Sequence, residues 1–423
     1  MRSIRTSHRH AWRLGAALVA TALILAACGD GTGDDGQTDG DGQALTAEQQ
    51  AWLEEAQVGP EAPDEQDWEA IEAAAREEGR VVIYSVSSRI FDIAEEFESR
   101  YGVEIEAYDL GSDVQLERLR REQDAGQFVP DVLFNNHTPL LSREFLPDSR
   151  VWNFVPEPLT DQLRDEEQEP MLIQRWGSRV FIYNSAAHPD GAPFENIWDL
   201  TEPEWTGNVQ MVAPLGDSES AATLQTILQH PDEMAAAYEA RFGEPLTEYS
   251  EGVVEFMEED IGTLFGEANA SMEWLYRMLH NEPVFVSSTD EVAENVGAVG
   301  QDDPPVGIMT FSDIRDVEEG VMEWEPAYDV EPFFGVSYPT VLLIPDRAPN
   351  PNAAKLLIRF MLEDGYEPWN VPGDYAARDD IVAEQVAEFG IPPFDELNLR
   401  PIDPDYVYDT QASFLNLYLT FAE

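Results

Sequence analysis

The chain of 423 residues has one cysteine, Cys28, and one lysine, Lys355. A lone cysteine excludes an internal disulfide and a thiolate-held metal cluster. Basic residues are scarce altogether: 24 Lys and Arg stand against 84 Asp and Glu, a formal charge of −60. A phosphate backbone has to be met by clustered Lys and Arg, so nucleic acid is excluded as a partner. His8 and His10 lie near the N-terminus, and His137, His188, His230 and His280 are not at metal-ligand spacing. Also missing are a G-x-S-x-G elbow, a P-loop and a D-x-D-x-D-G calcium loop. The acidic pairs are too numerous to single out a general acid and base. No metal site is assigned and no cofactor is expected.

What the N-terminus does have is Arg2, Arg5, Arg9 and Arg13 with no acid, then an uncharged apolar run over 14–27. That run is too short to span a bilayer and suits the h-region of a signal peptide. It ends in Leu25-Ala26-Ala27-Cys28, which resembles the bacterial lipobox; the resemblance implies that Cys28 is lipidated and becomes the first residue after cleavage. From Gly29 to Gln43, glycine alternates with aspartate, a composition that buries nothing and reads as a charged tether. Thr46 to Gln49 opens a short helix to about Gln57, Gly59 to Gln66 reads as linker, and the folded body is expected from Asp67. The acids are spread along the chain instead of gathered at one place, which points to a surface adapted to high salt, where screening over a few ångströms makes the self-repulsion tolerable.

The most informative stretch is Arg80-Val81-Val82-Ile83-Tyr84-Ser85-Val86-Ser87-Ser88. Its β-branched run predicts a buried strand, and Ile90, Ile93, Phe97 and Tyr101 then recur at helical spacing up to Gly102. Ser87 or Ser88 is expected to cap that helix, placing hydroxyls and free N–H groups at a strand end, where open α/β sheets bind ligands; a plain N-cap accounts for the serines too. Val103 to Tyr108 alternates as a second strand, 113–123 as a helix, and Pro130 to Asn136 as a third strand ending in amides. The order is βαβαβ. The helix ending Ala75-x-x-Glu78-Gly79 followed by Val81-Val82-x-Tyr84-Ser85 resembles the solute-binding proteins of ABC importers, in the branch that includes the ferric-ion binders.

The resemblance continues. Trp176 to Asn184 is similar to the family's crossover strand, and Trp198-x-Leu200 with Pro203-Glu204-Trp205-x-Gly207-x-Val209 to the segment that opens its second lobe. Ala213 to Ser220 delivers Ser218 and Ser220 to a second helix start. Val306 to Asp313 resembles a strand end near the cleft, Phe334 to Ile344 the strand returning to the first lobe, and Trp369-x-x-Pro372-Gly373-x-Tyr375 a loop of the family. The implied fold is α/β, a two-lobed periplasmic-binding-protein-like type II fold with a mixed sheet and flanking helices in each lobe. The expected divisions are 1–27 leader, 28–66 lipidated cysteine and tether, 67–180 with 336–366 as lobe 1, and 181–335 with 367–423 as lobe 2.

The candidate ligand-binding residues are Ser85, Ser87, Ser88, Asn135 and Asn136 of lobe 1, Ser218 and Ser220 of lobe 2, and Tyr338 near the hinge. Ferric binders of the family commonly use adjacent tyrosines; no Tyr-Tyr occurs here, which weakens Fe³⁺ as cargo in favour of an oxygen-rich organic or phosphate-bearing solute. The resemblance implies a monomeric, lipid-anchored receptor on the extracellular face of the membrane or in the periplasm. It would capture a small solute between its lobes and deliver it to an ABC permease. A receptor for a membrane sensor kinase and a secreted enzyme on the same scaffold are the alternatives.

Overall fold

The computed structural model describes residues 45–258, 265–318 and 320–422. The leader, Cys28 and the Gly/Asp tether lie outside the described residues. Twelve strands form one sheet: β1 Arg80–Ser85, β2 Glu104–Asp109, β3 Val132–Asn135, β4 Val151–Trp152, β5 Leu172–Tyr183, β6 Val209–Val212, β7 Val284–Val286, β8 Val306–Thr310, β9 Glu325–Pro326, β10 Gly335–Pro345, β11 Tyr375–Ala376 and β12 Leu399–Pro401. The main path runs β2-β1-β3-β10-β5-β8-β6-β7. β1 is parallel to β2 and β3, and β6 is parallel to β7 and β8. Parallel neighbours cannot be joined by a tight hairpin, so each trio needs crossover connections, and helices lie between its strands in the chain. Every residue of β1 after Arg80 is buried.

Between the trios lie two long strands, β5 and β10, antiparallel to each other and to their outer neighbours. They connect two separate hydrophobic cores. Leu172 and Ile173 of β5 and Val341 to Ile344 of β10 belong to the core built on β1 and β3. Val180 to Tyr183 of β5, with Phe333 and Phe334 just before β10, belong to the core built on β6 and β8. Two cores joined by two strands are a hinge geometry, since bending β5 and β10 disrupts neither core. The register of β10 against β5 shifts between Thr340 and Val341, at the crossover itself.

Core membership moves two of the expected divisions. Leu53, Ala56 and Val58 are buried in the first core, so the segment over 45–58 is part of lobe 1 and not tether. Its helix, Ala47–Ala56, has the expected capping box of Thr46 and Gln49, and Trp52 Nε1 donates to the Ala348 carbonyl at 3.2 Å. Leu53→Ala is expected to cost about 2–3 kcal/mol in urea unfolding, whereas a free linker would register no change. Trp369, Ala376 and Ala377 likewise sit in the first core, with Ile381 and Val382 packed on it. The second core takes the chain back only at Phe394. Sequence gave no sign of this return, because it depends on β11 pairing with β5.

The C-terminal helix spans Pro404–Phe421, opened by Asp403, whose carboxylate accepts the Asp405 and Tyr406 N–H groups. Phe414, Leu417, Tyr418 and Phe421 anchor it in the second core. From there it reaches lobe 1, where Arg143 pairs with Asp405 at 3.1 Å and Asp409 at 2.8 Å, and the Tyr408 hydroxyl donates to Glu144 at 2.9 Å.

Candidate ligand-binding site

The carboxyl ends of β1, β3 and β8 converge on one cleft between the cores, an open space of about 800 Å³. Ser87, Ser88, Arg89, Asp109 and Asn136 line it from lobe 1, and Glu219, Thr310, Ser312, Asp313 and Arg315 from lobe 2. Its floor is the hinge pair itself, through Arg175 and Gly177 of β5 and Tyr338 and Thr340 of β10. The Tyr338 ring lies over Gly177 so closely that a Cβ there would meet it at 3.1 Å.

Of the residues expected from sequence, four line this cleft: Ser87, Ser88, Asn136 and Tyr338. Ser218 lines an adjoining recess of about 350 Å³ with Asn136, His137 and Tyr338. The other three turn inward. The Ser85 hydroxyl donates to the Ser87 carbonyl at 2.7 Å and accepts the Ser87 N–H at 3.1 Å. The Asn135 amide donates to the Ser112 carbonyl and to Gln115 Oε1, both at 3.1 Å, while its oxygen accepts the His137 N–H. Ser220 is buried beside Asp217 and Arg179. Ser85 and Asn135 shape the strand ends, Ser220 the helix start over Ser218–Gln229, and none of the three lines the cleft.

The helix starts differ as well. The backbone after Ser87 makes a 3₁₀ turn over Ser88–Phe91, and the α-helix begins only at Ala94 with no side-chain cap. The reason is local: the Ser85 hydroxyl ties the Ser87 backbone into a turn that competes with helix, and the Ser87 hydroxyl is spent accepting Trp369 Nε1 at 3.1 Å. In lobe 2 the cap is Asp217, whose carboxylate accepts the Glu219 and Ser220 N–H groups. A carboxylate already occupies that helix end, so neither serine site offers an anion a free helix N-terminus.

The positive charge of the cleft comes from arginines instead. Arg89 Nη1 meets Asp374 Oδ2 at 2.7 Å, and Arg175 Nε lies 3.4 Å from Asp374 Oδ1. Asp374 is 3% exposed, and β11, paired to β5 beside Arg175, holds it there. Burial pulls the Arg89 pKa down, Asp374 works against that, and the Arg175 and Arg315 charges add to the depression. Across the cleft, Arg315 Nη1 donates to the Ser312 carbonyl at 2.9 Å and to Asp313 at 3.0 Å. Burial raises the Asp313 pKa against the opposing pull of Arg315. Arg175 Nε and the Thr340 hydroxyl are buried with no hydrogen-bond partner.

Behind the floor, Arg179 is 4% exposed and its Nη2 reaches both Asp217 at 2.8 Å and Glu219 at 2.9 Å. Burial alone would lower its pKa; Glu219 and Asp217 more than reverse this. Glu219 also accepts from Asn136 Nδ2 at 2.5 Å, a direct hydrogen bond from lobe 1 to lobe 2. Burial, then the Glu219 charge, raises the pKa of Tyr338, so its oxygen remains a protonated phenol. Among the described residues, no group of three or more His, Cys, Asp or Glu is arranged to hold a metal ion.

Sequence reading missed Arg89, Arg175, Arg179, Arg315 and Asp374. A usable signal existed for one of them. In so acidic a chain an arginine directly after a serine-rich strand end, as at Arg89, stands out. Arg175, Arg179, Arg315 and Asp374 have no such local mark.

No family model and no curated protein matches the chain by sequence. Its fold does match solved structures. Iron-bound HitA from Pseudomonas aeruginosa aligns with a TM-score of 0.58 at 15% identity, over 81% of this chain and 99% of that one. AfuA from Actinobacillus pleuropneumoniae, a periplasmic binding protein with fructose-6-phosphate bound, aligns at 0.56 and 19% identity, over 81% and 97%. The spermidine/putrescine substrate-binding protein PotD from Streptococcus pneumoniae aligns at 0.53 and 14% identity, over 81% and 99%. The two cores, the shared strands β5 and β10 and the cleft at the strand ends are therefore the two-lobed type II fold of ABC-transporter substrate-binding proteins.

Proposed function

We propose that this protein is the solute-binding component of an ABC import system, tethered outside the membrane through a lipid on Cys28. It captures a small solute between its lobes and presents it to a permease. The observation that carries this reading is a single polar cleft lined by both lobes and floored by the two strands that connect them. A solute held there touches both lobes at once, so it favours whichever hinge angle lets both sets of contacts form. Direct bonds between the lobes, such as Asn136 to Glu219, set how far that angle opens without solute.

The similar structures carry iron, a sugar phosphate and a polyamine-transporter name, so the fold does not choose the cargo. The cleft does discriminate. Iron is disfavoured by a lone tyrosine kept as a phenol, because Fe³⁺ is matched by anionic oxygen donors. Thermal unfolding of the compact unit Gly42–Glu423 against Fe³⁺, inorganic phosphate, sugar phosphates, spermidine and uncharged sugars tests the function. A solute present at about 100 times its Kd stabilises the folded state by roughly 2.7 kcal/mol. One solute class is expected to raise the midpoint by several degrees; if every class leaves it unmoved, the binding function is wrong.

We read the charge of −60 as adaptation to salt. Raising KCl shortens the screening length from about 10 Å at 0.1 M to about 3 Å at 1 M, which relieves repulsion between acids on the folded surface. The unfolding midpoint without ligand is therefore expected to climb over that range. A flat or falling midpoint would separate the acidic composition from salt adaptation.

A further inference from the structure

We infer that the cargo is a small oxyanion, a solute carrying a phosphate or carboxylate group that Arg89 and Arg175 of one lobe and Arg315 of the other grip between them. This rests on the solute-binding reading above and adds the chemistry of what is bound. Arg89 makes one hydrogen bond, to Asp374, and Arg175 one, to Gln174 Oε1 at 3.0 Å. Among the described residues, their remaining guanidinium N–H groups make no hydrogen bond to protein, and Arg175 Nε is buried without one, its ion-pair partner Asp374 Oδ1 standing 3.4 Å away. A buried donor left without a hydrogen bond costs free energy of the order of 1–3 kcal/mol, and two oxygens of a carboxylate or phosphate are the acceptors that fit a guanidinium fork.

The scarcity of basic residues sharpens this. The whole chain has 24 Lys and Arg, yet three arginines line this one cleft. A polyamine would bring further positive charge against them. Four acids line the cleft too, but three are already engaged: Asp374 with Arg89, Asp313 with Arg315, and Glu219 with Arg179 and Asn136. Asp109 is the exposed one with no ion pair among the described residues. It suits a hydroxyl donor on the remainder of the solute, as do the Ser88 and Thr340 hydroxyls.

The arginines also couple binding to closure. Arg315 stands on lobe 2, on the turn Phe311–Asp316 after β8, and Arg89 on lobe 1, on the turn after β1. Closing the cleft brings like charges together, which opposes closure in the empty protein. An oxyanion between them reverses the sign of that contribution, so the closed state is favoured with cargo in place. Asp374 is a positioning residue: buried between Arg89 and Arg175, it aims both guanidinium groups.

The test is calorimetric titration of Gly42–Glu423 at fixed ionic strength with inorganic phosphate, glucose 6-phosphate and citrate, beside glucose, spermidine and Fe³⁺. At least one oxyanion is expected to bind, with phosphate and citrate separating a phosphoryl from a carboxylate preference. Arg315→Gln is then expected to weaken that binding at least about tenfold, and Arg315→Lys by less. The Arg315 side chain is 35% exposed, so unfolding midpoints are read beside binding: Arg315→Lys keeps a cation beside Asp313 and should keep the wild-type midpoint, and weakened binding at temperatures well below either variant's midpoint shows that the loss is not misfolding. Oxyanion binding that Arg315→Gln leaves unchanged overturns the assignment. Binding of spermidine, glucose or Fe³⁺ alone overturns the oxyanion and leaves the solute-binding function standing, whereas silence across all six overturns both.

Discussion

Replacing Arg179 with methionine is expected to lower the unfolding free energy by about 3–5 kcal/mol, read from the urea midpoint at neutral pH. The side chain is almost completely buried and balances Asp217 and Glu219 through one nitrogen. Methionine replaces the apolar stem without the guanidinium, so most of the loss reports the charge and its hydrogen bonds. Two carboxylates are then left beside the cleft floor with no cation, relieved only by partial access to water and by neutral donors such as Asn136 and the Glu219 and Ser220 N–H groups. Neutralising them as well, with Asp217→Asn and Glu219→Gln in the same chain, is expected to restore most of the stability. Asparagine still caps the helix Ser218–Gln229, and a neutral triad needs no counter-charge. Such recovery on combination is the signature of coupled sites. A single-variant loss below about 1 kcal/mol would mean that solvent already screens the acids and that Arg179 does not hold this side of the cleft together.

Trp369→Ala is expected to cost a comparable amount, about 3–5 kcal/mol, and to weaken solute binding as well. The indole is fully buried in the first core, packs edge-on against Phe134 with centroids 5.6 Å apart, and has the Arg175 guanidinium 6.0 Å away. Its Nε1 donates to the Ser87 hydroxyl at 3.1 Å. One residue therefore fills core volume, fixes the turn that carries Ser87 and Ser88, and supports a cleft arginine. Trp369→Phe separates these roles. It keeps most of the packing and drops the hydrogen bond, so the stability loss falls to about 1–2 kcal/mol while Ser87 is freed. If Trp369→Phe binds solute as tightly as the parent, the indole contributes to the fold alone.

Stability at Trp369 and charge balance at Arg179 lie on opposite sides of the floor made by β5 and β10. Damage on either side reaches the cleft because both strands are shared by the two cores. This is also why the hinge residues are not marked by composition. Gly177 and Tyr338 look like ordinary strand residues in sequence, and only their facing positions across β5 and β10 make them a floor.

Much of the architecture was legible from the chain. The apolar run of β1, the glycine stops at Gly79 and Gly102 with φ of 75° and 71°, and the capping box at Thr46 are local, and local chemistry produced them. The periodicity after Ser88 placed Ile90, Ile93 and Phe97 correctly in the core, although the first turn is 3₁₀ and not α-helical. Side-chain burial follows the spacing of apolar residues, whereas the turn type was decided by a hydroxyl two residues upstream. Asn136 and Ser87 were found as cleft residues because they end strands. Asn135 precedes Asn136 by one residue and points to the opposite face, whereas the Ser85 hydroxyl is turned to the Ser87 backbone.

By itself, then, the sequence determined the βαβαβ order that opens the α/β fold, the strand ends where a ligand would sit and the acidic character of the chain. Each of these depends on patterns within about ten neighbouring residues or on composition summed over the chain. The two-lobed plan was implied by the family resemblance. The tertiary structure alone decided the charge of the cleft. Arg175 meets Asp374 because β11 pairs with β5, and Arg179 meets Glu219 because a helix start of lobe 2 packs against the hinge strand. Those partners are far apart in the chain, and no periodicity records which arginine will find which acid. Arg89 beside its serine pair was open to view in the sequence; Arg175 and Arg315 came into view as cleft residues only when folding had brought both lobes around one site.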